Sequence, residues 1–172
     1  MKCKLIWLTA IGAVVAVAYA QSLTVRGALG FGLAGAPDAE QPNAQFAVSV
    51  TQYEYNGQTR TGGSFAFQAR TADAYVGIQM PRVESFTVDA ENKVAEIRGV
   101  AYAIQRTRQG VQRARGVVVV QVDDNRTPRD RQGDPDTIRV AFYTDENSDP
   151  AFTYEGVVRL GDILVYERTY SR

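Results

Sequence analysis

The chain has 172 residues, 19 basic and 19 acidic side chains, one cysteine and no histidine. This composition excludes a Ser-His-Asp or Cys-His catalytic apparatus and the usual nitrogen and sulfur ligands of a zinc site, because its only cysteine, Cys3, lies in a segment that export would remove. The balanced charge provides no overall field to attract nucleic acid or an anionic membrane.

Residues 1–20 predict a cleavable export signal. Lys2 and Lys4 precede an apolar run at 5–17, and Ala-Tyr-Ala ends at position 20, as at a signal cleavage site. The run is shorter than the roughly 20 residues that a membrane-spanning helix needs, although an uncleaved anchor is the alternative. We therefore expect a secreted, periplasmic or cell-surface protein. Its mature chain, 21–172, has 17 basic and 19 acidic residues, or a net charge of −2.

Residues 21–43 are rich in Gly, Ala and Pro. After a short strand at 22–26, this composition predicts a linker or a peripheral edge strand rather than core. We expect the folded β domain to occupy 44–172, as one domain large enough to be stable without disulfides.

From Ala44 onward, apolar residues recur at every second position, which is typical of half-buried strands. Phe46, Val48 and Val50 form the first such set, and Asn56-Gly57 predicts a hairpin turn because both residues tolerate positive φ. A bulge is expected at Gly99 and a turn at Gly161-Asp162. The further predicted strands are 64–69, 74–80, 83–88, 93–105, 117–122, 137–143, 152–160 and 163–166. The pattern predicts a single all-β domain, an antiparallel sandwich or barrel of about eight or nine strands.

The polar loop 123–136 lies between two strongly apolar strands and suggests a calcium site, because Ca²⁺ is bound by six to eight oxygen ligands. Its candidate ligands are Asp123, Asp124, Asn125, Asp134 and Asp136. The alternative is a solvated connection in which these side chains bind turn backbone and the loop's arginines pair with its acids.

A second loop has the better calcium spacing. Asp145, Asn147 and Asp149 alternate as at the start of a calcium loop, but Pro150 replaces the glycine of its sharp turn, and Gly156 stands where a bidentate Glu is expected. Calcium is the only cofactor that the sequence suggests; otherwise we expect none.

Four arginines without an acid flank a predicted hairpin turn at Gly110, and they are Arg106, Arg108, Arg113 and Arg115. This patch suggests binding of a sulfated glycan, another polyanion or an acidic protein. The alternative is an exposed hairpin that its charge keeps soluble and protects from edge pairing. The tyrosines likewise suggest either a carbohydrate platform or ordinary half-buried strand positions.

Five short motifs resemble the post-COAP domain of secreted bacterial proteins over residues 62–165. They are Ser64-Phe-Ala-Phe, Val94-Ala-Glu-Ile-Arg-Gly99, Val122-Asp-Asp-Asn125, Pro135-Asp-Thr-Ile-Arg-Val140 and Gly156-Val-Val-Arg-Leu-Gly-Asp-Ile163. The resemblance implies an extracellular β domain, often attached to larger surface proteins, with no established activity and no functional residues to carry over.

The sequence thus favours a secreted, non-catalytic β domain for extracellular interaction or surface structure. A calcium-dependent carbohydrate-binding module is the second hypothesis. A glycosidase built on two carboxylates, such as Glu84 and Glu96, is the third. We expect an extracellular glycan or protein partner and no nucleic acid, and the oligomeric state is left open.

Overall fold

The computed structural model describes residues 22–39, 41–126 and 133–171, and every regular element in these ranges is a β-strand. The prediction of an all-β antiparallel fold is confirmed, whereas the expected signal at 1–20 lies outside the described residues. The strands are β1 (Ser22–Gly35), β2 (Ala44–Tyr55), β3 (Gln58–Arg70), β4 (Ala74–Met80), β5 (Ser85–Asp89), β6 (Val94–Thr107), β7 (Gly110–Asp123), β8 (Thr137–Tyr143) and β9 (Phe152–Ser171). Within the described ranges, no helix is long and apolar enough to span a membrane.

All nine strands belong to one antiparallel sheet that closes on itself. The order around the ring is β4-β3-β2-β1-β9-β8-β7-β6, and β6 pairs back to β4. The short β5 pairs with the first part of β6, so β4 and β5 follow each other along the same side of that strand. Closure leaves few strand edges exposed to pairing with other chains.

The hydrophobic core fills the inside of the ring. On most strands every second residue is buried, as in β2, where Phe46, Val48 and Val50 are at most 3% exposed. Phe67 on β3 contacts two rings of β9 across the interior, with centroid distances of 5.9 Å to Phe152 and 4.9 Å to Tyr154. Since β3 and β9 are not neighbours in the sheet, these contacts join opposite walls of the ring.

At one end of the ring the inward-facing residues become polar. Arg26 donates to Glu54 at 2.7 Å and to Glu167 at 2.6 Å, and Gln52 donates to Thr61 at 2.9 Å. These two hydrogen bonds raise the pKa of Arg26 above its ordinary value, and the bond to Glu54 has the larger effect. This hydrogen-bond network occupies the interior of the ring where the apolar core ends.

The N-terminal segment differs from its prediction as a linker or edge. β1 lies between β2 and β9 and pairs with both over its length, and its Ala28 and Ala34 are fully buried. The glycines that suggested a linker instead permit close packing of strands. A Cβ at Gly30 would lie 2.7 Å from the carbonyl oxygen of Asp162.

β9 is one strand where two were predicted. It continues through Gly161, whose φ of +101° takes the place of the expected turn. The register between β1 and β9 shifts because Arg159 is an extra residue in β9. Its guanidinium donates to the carbonyl oxygens of the loop after β1, at 3.0 Å for Pro37.

The bulge predicted at Gly99 of β6 lies instead in the chain opposite Gly99, where it passes from β4 to β5. β6 pairs with β7 without interruption. On its other side, the last pair with β4 is Gln79–Tyr102 and the first pair with β5 is Ser85–Arg98, so residues 80–84 lie opposite only residues 99–101 of β6. A Cβ at Gly99 would collide with the carbonyl oxygen of Arg82 and lie 2.8 Å from the sulfur of Met80. Glycine is therefore needed where the extra residues approach β6.

Candidate functional site

The predicted arginine hairpin forms between β6 and β7, with Arg108 and Gln109 in a two-residue turn. Arg106, Arg113 and Arg115 all point to the outside of the ring, because their positions alternate with those that face the core. Arg108 is separated from them because it lies in the turn. Three of the four predicted arginines therefore share one surface.

Neighbouring strands add aromatic and amide side chains to this surface. Tyr75 on β4 is opposite Arg106, whose guanidinium carbon lies 5.8 Å from the centre of the tyrosine ring. Tyr102 on β6 is opposite both Gln79 and Arg115. We call this outer surface of β3, β4, β6 and β7 the arginine face.

A depression of about 500 Å³ lies in the arginine face. Small residues lower its floor, since Gly77 has no side chain and Ala66 has a short one. Its rim combines two guanidinium groups, two phenols and two amides, from Arg113, Arg115, Tyr75, Tyr102, Gln68 and Gln79. A polar ring around a partly apolar floor is typical of binding sites for small molecules or segments of polymers.

The arginines of this face have no acidic partner. Among the described residues, no carboxylate forms an ion pair with Arg106, Arg113 or Arg115, whereas Arg98 and Arg139 pair with Glu146 and Glu155. An unpaired guanidinium retains its donors for a carboxylate, sulfate or phosphate of a ligand.

Two further depressions adjoin the first. One shares Gln68 and Tyr75 with it and contains Asp73, and the other shares Arg115 and contains Asp145. The shared residues place the three depressions side by side across the strands as one groove, with Arg113 and Arg115 in the middle. Asp73 lies with Arg70 and Arg106 at one end, and Asp145 lies with Glu146 at the other. Such a groove accommodates an extended ligand better than a single small ion.

The ends of the predicted calcium loop contact β9. Beyond its pairing with β8, one edge of β9 has no described strand beside it, and two buried aspartates accept its N–H groups. Asp136 accepts from Ile163 at 3.0 Å, and Asp124 accepts from Val165 at 3.1 Å. These carboxylates replace the carbonyl oxygens that a neighbouring strand would provide.

Asp136 also holds the loop together. Its other oxygen accepts the N–H groups of Asn125 and Arg126, each at 3.0 Å, and the side chain is completely buried. The Asn125 amide donates to the carbonyl oxygen of Pro135 at 3.1 Å. One carboxylate thus connects both arms of the loop to β9.

The remaining oxygen of Asp124 is buried without a hydrogen-bond donor, 3.9 Å from the ammonium nitrogen of Lys93. Burial raises the pKa of Asp124, while the Val165 N–H and the Lys93 charge act in the opposite direction. Burial also raises the pKa of Asp162, and the charge of Asp136 and its hydrogen bond with Asp162 raise it further. Loop carboxylates and β9 therefore form a tightly packed acidic edge.

Of the other predicted calcium ligands, some accept hydrogen bonds from neighbouring residues and others are exposed. Asp123 accepts from the Thr137 hydroxyl and from Gln121, whereas Asp134 is exposed. In the second loop, Asp145 accepts the N–H of Asn147 at 3.0 Å, as in an Asx turn, and Asp149 is exposed. Within the described ranges, no group of three or more acidic side chains is arranged to hold a metal ion.

Two carboxylates separated as in a glycosidase require about 5–9.5 Å between them. Glu96 lies in a depression on the outside of the ring together with Glu155, but the register Glu96-Gln121-Arg139-Glu155 puts three strand spacings, about 14 Å, between their backbones. Glu155 also pairs with Arg139 at 3.1 Å. Glu84, the other residue named from the sequence, is exposed between β4 and β5.

The sequence identified the arginines, and Tyr75 only as one of the tyrosines of a suggested carbohydrate platform, but it missed Gly77 and Gln79, which β4 also contributes. Their outward orientation follows from the alternation with Val76, Ile78 and Met80. Their proximity to the hairpin follows only from the pairing of β4 with β6.

Comparisons with protein-family models, curated proteins and solved structures found no match for this chain. The resemblance to the post-COAP family stays a prediction, and the function has to be inferred from the geometry of the site.

Proposed function

We propose that this chain is a secreted, non-catalytic β domain that binds an acidic polysaccharide on the arginine face. The observation that supports this most directly is the set of three arginines, Arg106, Arg113 and Arg115, that share one surface and form no ion pair with any described carboxylate. An extracellular setting agrees with the export signal that the sequence predicts.

The chemistry of the groove matches that of an acidic sugar chain. The guanidinium fork binds carboxylate or sulfate groups through two parallel hydrogen bonds. Tyr75 and Tyr102 provide aromatic surface on which the apolar face of a sugar ring can stack. Gln68 and Gln79 offer donors and acceptors for hydroxyl groups, and both line the same depression.

A polymer fits better than a small anion because the three depressions are continuous. A sugar chain lying across them would place its acidic groups at the central arginines and a neutral part near Asp145. The acids at that end, Asp145 and Glu146, would disfavour a uniformly dense polyanion such as a nucleic acid.

Affinity electrophoresis tests the proposal with heparin and polygalacturonate as acidic polymers and dextran as the neutral one. The protein should be retarded by at least one acidic polymer and not by dextran, and retardation should weaken as salt screens the charges. Replacing Arg113 and Arg115 together by alanine should weaken binding about tenfold, at about 0.7 kcal/mol for each exposed ionic contact.

The matched control replaces Arg82 and Arg139 by alanine, which removes the same charge from the connection after β4 and from β8, outside the arginine face. It should bind as the parent protein does. Equal weakening in both double variants would indicate a general charge effect and refute a specific site. Absence of retardation by both acidic polymers at low salt would refute the proposed ligand class.

A further inference from the structure

A second surface, on the opposite side of the ring from the arginine face, is unusually apolar. The outward residues of β9, β1 and β2 include seven of the nine exposed large hydrophobic side chains in the described ranges. They are Leu29, Phe31, Tyr53, Tyr55, Leu160, Leu164 and Tyr170. We call this surface the apolar face.

These residues form a continuous surface because the strand register puts them side by side. Tyr170, Leu23 and Tyr55 lie in one row across β9, β1 and β2, and Leu164 is opposite Leu29 in another. Phe31, the most exposed at 74%, lies between these strands on β1. Contiguous apolar surface of this kind marks an interaction site on a soluble protein.

One aromatic side chain of the apolar face lies across the neighbouring strand. A Cβ at Gly27 would collide with the ring of Tyr166, which shows that this ring lies against the β1 backbone. Arg168 stacks beside it, with its guanidinium carbon 5.9 Å from the ring centre. Sheet surfaces that pack face to face lie about 10 Å apart and interdigitate their side chains.

We propose that the apolar face is the interface of a symmetric dimer, with a second copy of this chain as its occupant. The face spans six rows of three strands, or about 550 Å² in projection from the spacings within and between strands. This area lies below the roughly 800 Å² that each partner buries in a standard interface and is typical of a weak dimer whose population depends on concentration.

The face is complementary to itself, as a two-fold interface requires. A two-fold axis crossing the strands at Ala28 would put Phe31 of one copy opposite Val25 of the other and Tyr53 opposite Ala47, whereas Leu160 would lie opposite Tyr170. The same axis would put Asp162 opposite Arg168, the two charged outward residues of β9 in the rows that pair with β1. No like charges oppose each other in this arrangement.

The dimer is independent of the proposed ligand, because the two faces lie on opposite sides of the ring. The test is sedimentation velocity on the full chain, expressed with residues 1–20 and recovered after export, with mass spectrometry to define its N-terminus. Over about 1–100 µM, a range suited to interfaces of this size, the sedimenting mass should change from one chain to two.

Two variants place a charge in the interface, Phe31→Arg and Leu160→Arg, at side chains that are 74% and 61% exposed. Each should raise the dimer dissociation constant at least about tenfold, because an uncompensated charge would be buried. Val111→Arg is the matched control, since Val111 is 56% exposed but lies on β7. Circular dichroism and melting curves establish whether each variant is folded. If Phe31→Arg does not fold, Leu160→Arg provides the test of the interface.

A parent protein that stays monomeric over the whole range would overturn the proposal. Dimers that persist in both interface variants would also overturn it, as would equal dissociation in the Val111→Arg control. A monomer that retains residues 1–20 would identify these residues as the occupant of the face and reject the second copy.

Discussion

Replacing Asp136 by alanine should lower the free energy of unfolding by about 3–5 kcal/mol. The side chain is fully buried and accepts three backbone N–H groups, from Asn125, Arg126 and Ile163. The Ile163 donor is buried, and leaving it unpaired costs about 2 kcal/mol. The other two lie nearer to the surface, where water can replace the carboxylate, so each should cost about 1 kcal/mol.

Urea unfolding at neutral pH measures this loss, with an unchanged m-value as the sign that the unfolded state is not altered. Asp134→Ala is the control, because Asp134 belongs to the same loop but is exposed, and it should change stability by less than about 0.5 kcal/mol. Asp136→Asn should be intermediate, since one amide oxygen cannot serve both sets of donors. A loss below about 1 kcal/mol for Asp136→Ala would refute the view that this carboxylate replaces a strand along β9.

Three other predictions concern single features of the fold. Gly99→Ala should cost about 1–3 kcal/mol in urea unfolding because its Cβ collides with the Arg82 carbonyl, whereas Gly62→Ala, which meets nothing within 4 Å, should cost nothing; equal costs would contradict the argument. Burial raises the folded-state pKa of Asp124 above the unfolded value of about 3.9, so its contribution to stability falls as the pH rises through the folded pKa. The melting temperature of Asp124→Asn minus that of the parent should therefore increase from pH 3 to pH 7, and a constant difference would contradict this. Millimolar calcium should leave the melting temperature unchanged, because Asp124, Asp136 and Asp145 already accept N–H groups; a rise would support the calcium hypothesis instead.

Local patterns predicted the strands and hairpins well. The alternation of Phe46, Val48 and Val50 corresponds to the buried side of β2, and Asn56-Gly57 adopts positive φ at both residues, 51° and 73°. These features depend on near neighbours in the sequence, and so the sequence contains enough information to predict them.

Features that depend on distant partners were not predictable in the same way. The glycines of β1 suggested a linker because composition alone does not reveal that β9 packs against them. Likewise, Asp124 and Asp136 suggested an ion because a carboxylate that accepts backbone N–H groups looks the same in sequence as one that binds calcium. Only the position of β9 beside the loop distinguishes the two roles.

The arginine face lies between these cases. The sequence predicted a patch of all four arginines on one hairpin, and three of them, Arg106, Arg113 and Arg115, share a surface, whereas Arg108 lies in the turn. The depression itself requires the pairing of β4 with β6, which closes the ring. Charge was therefore predictable, whereas the shape of the site was not.

Closure of the ring has a consequence for how the chain acquires its structure. β1 pairs with β9 from Ser22 opposite Ser171, a separation of 149 residues, and β9 also supplies the only strand that joins β1 to β8. Contacts so distant in sequence are slow to form, because a long loop must be ordered before they stabilise the fold. A ribosome-bound chain that lacks β9 cannot close its sheet. The protein should therefore complete its fold only after synthesis has reached Ser171 and this residue has emerged from the ribosome.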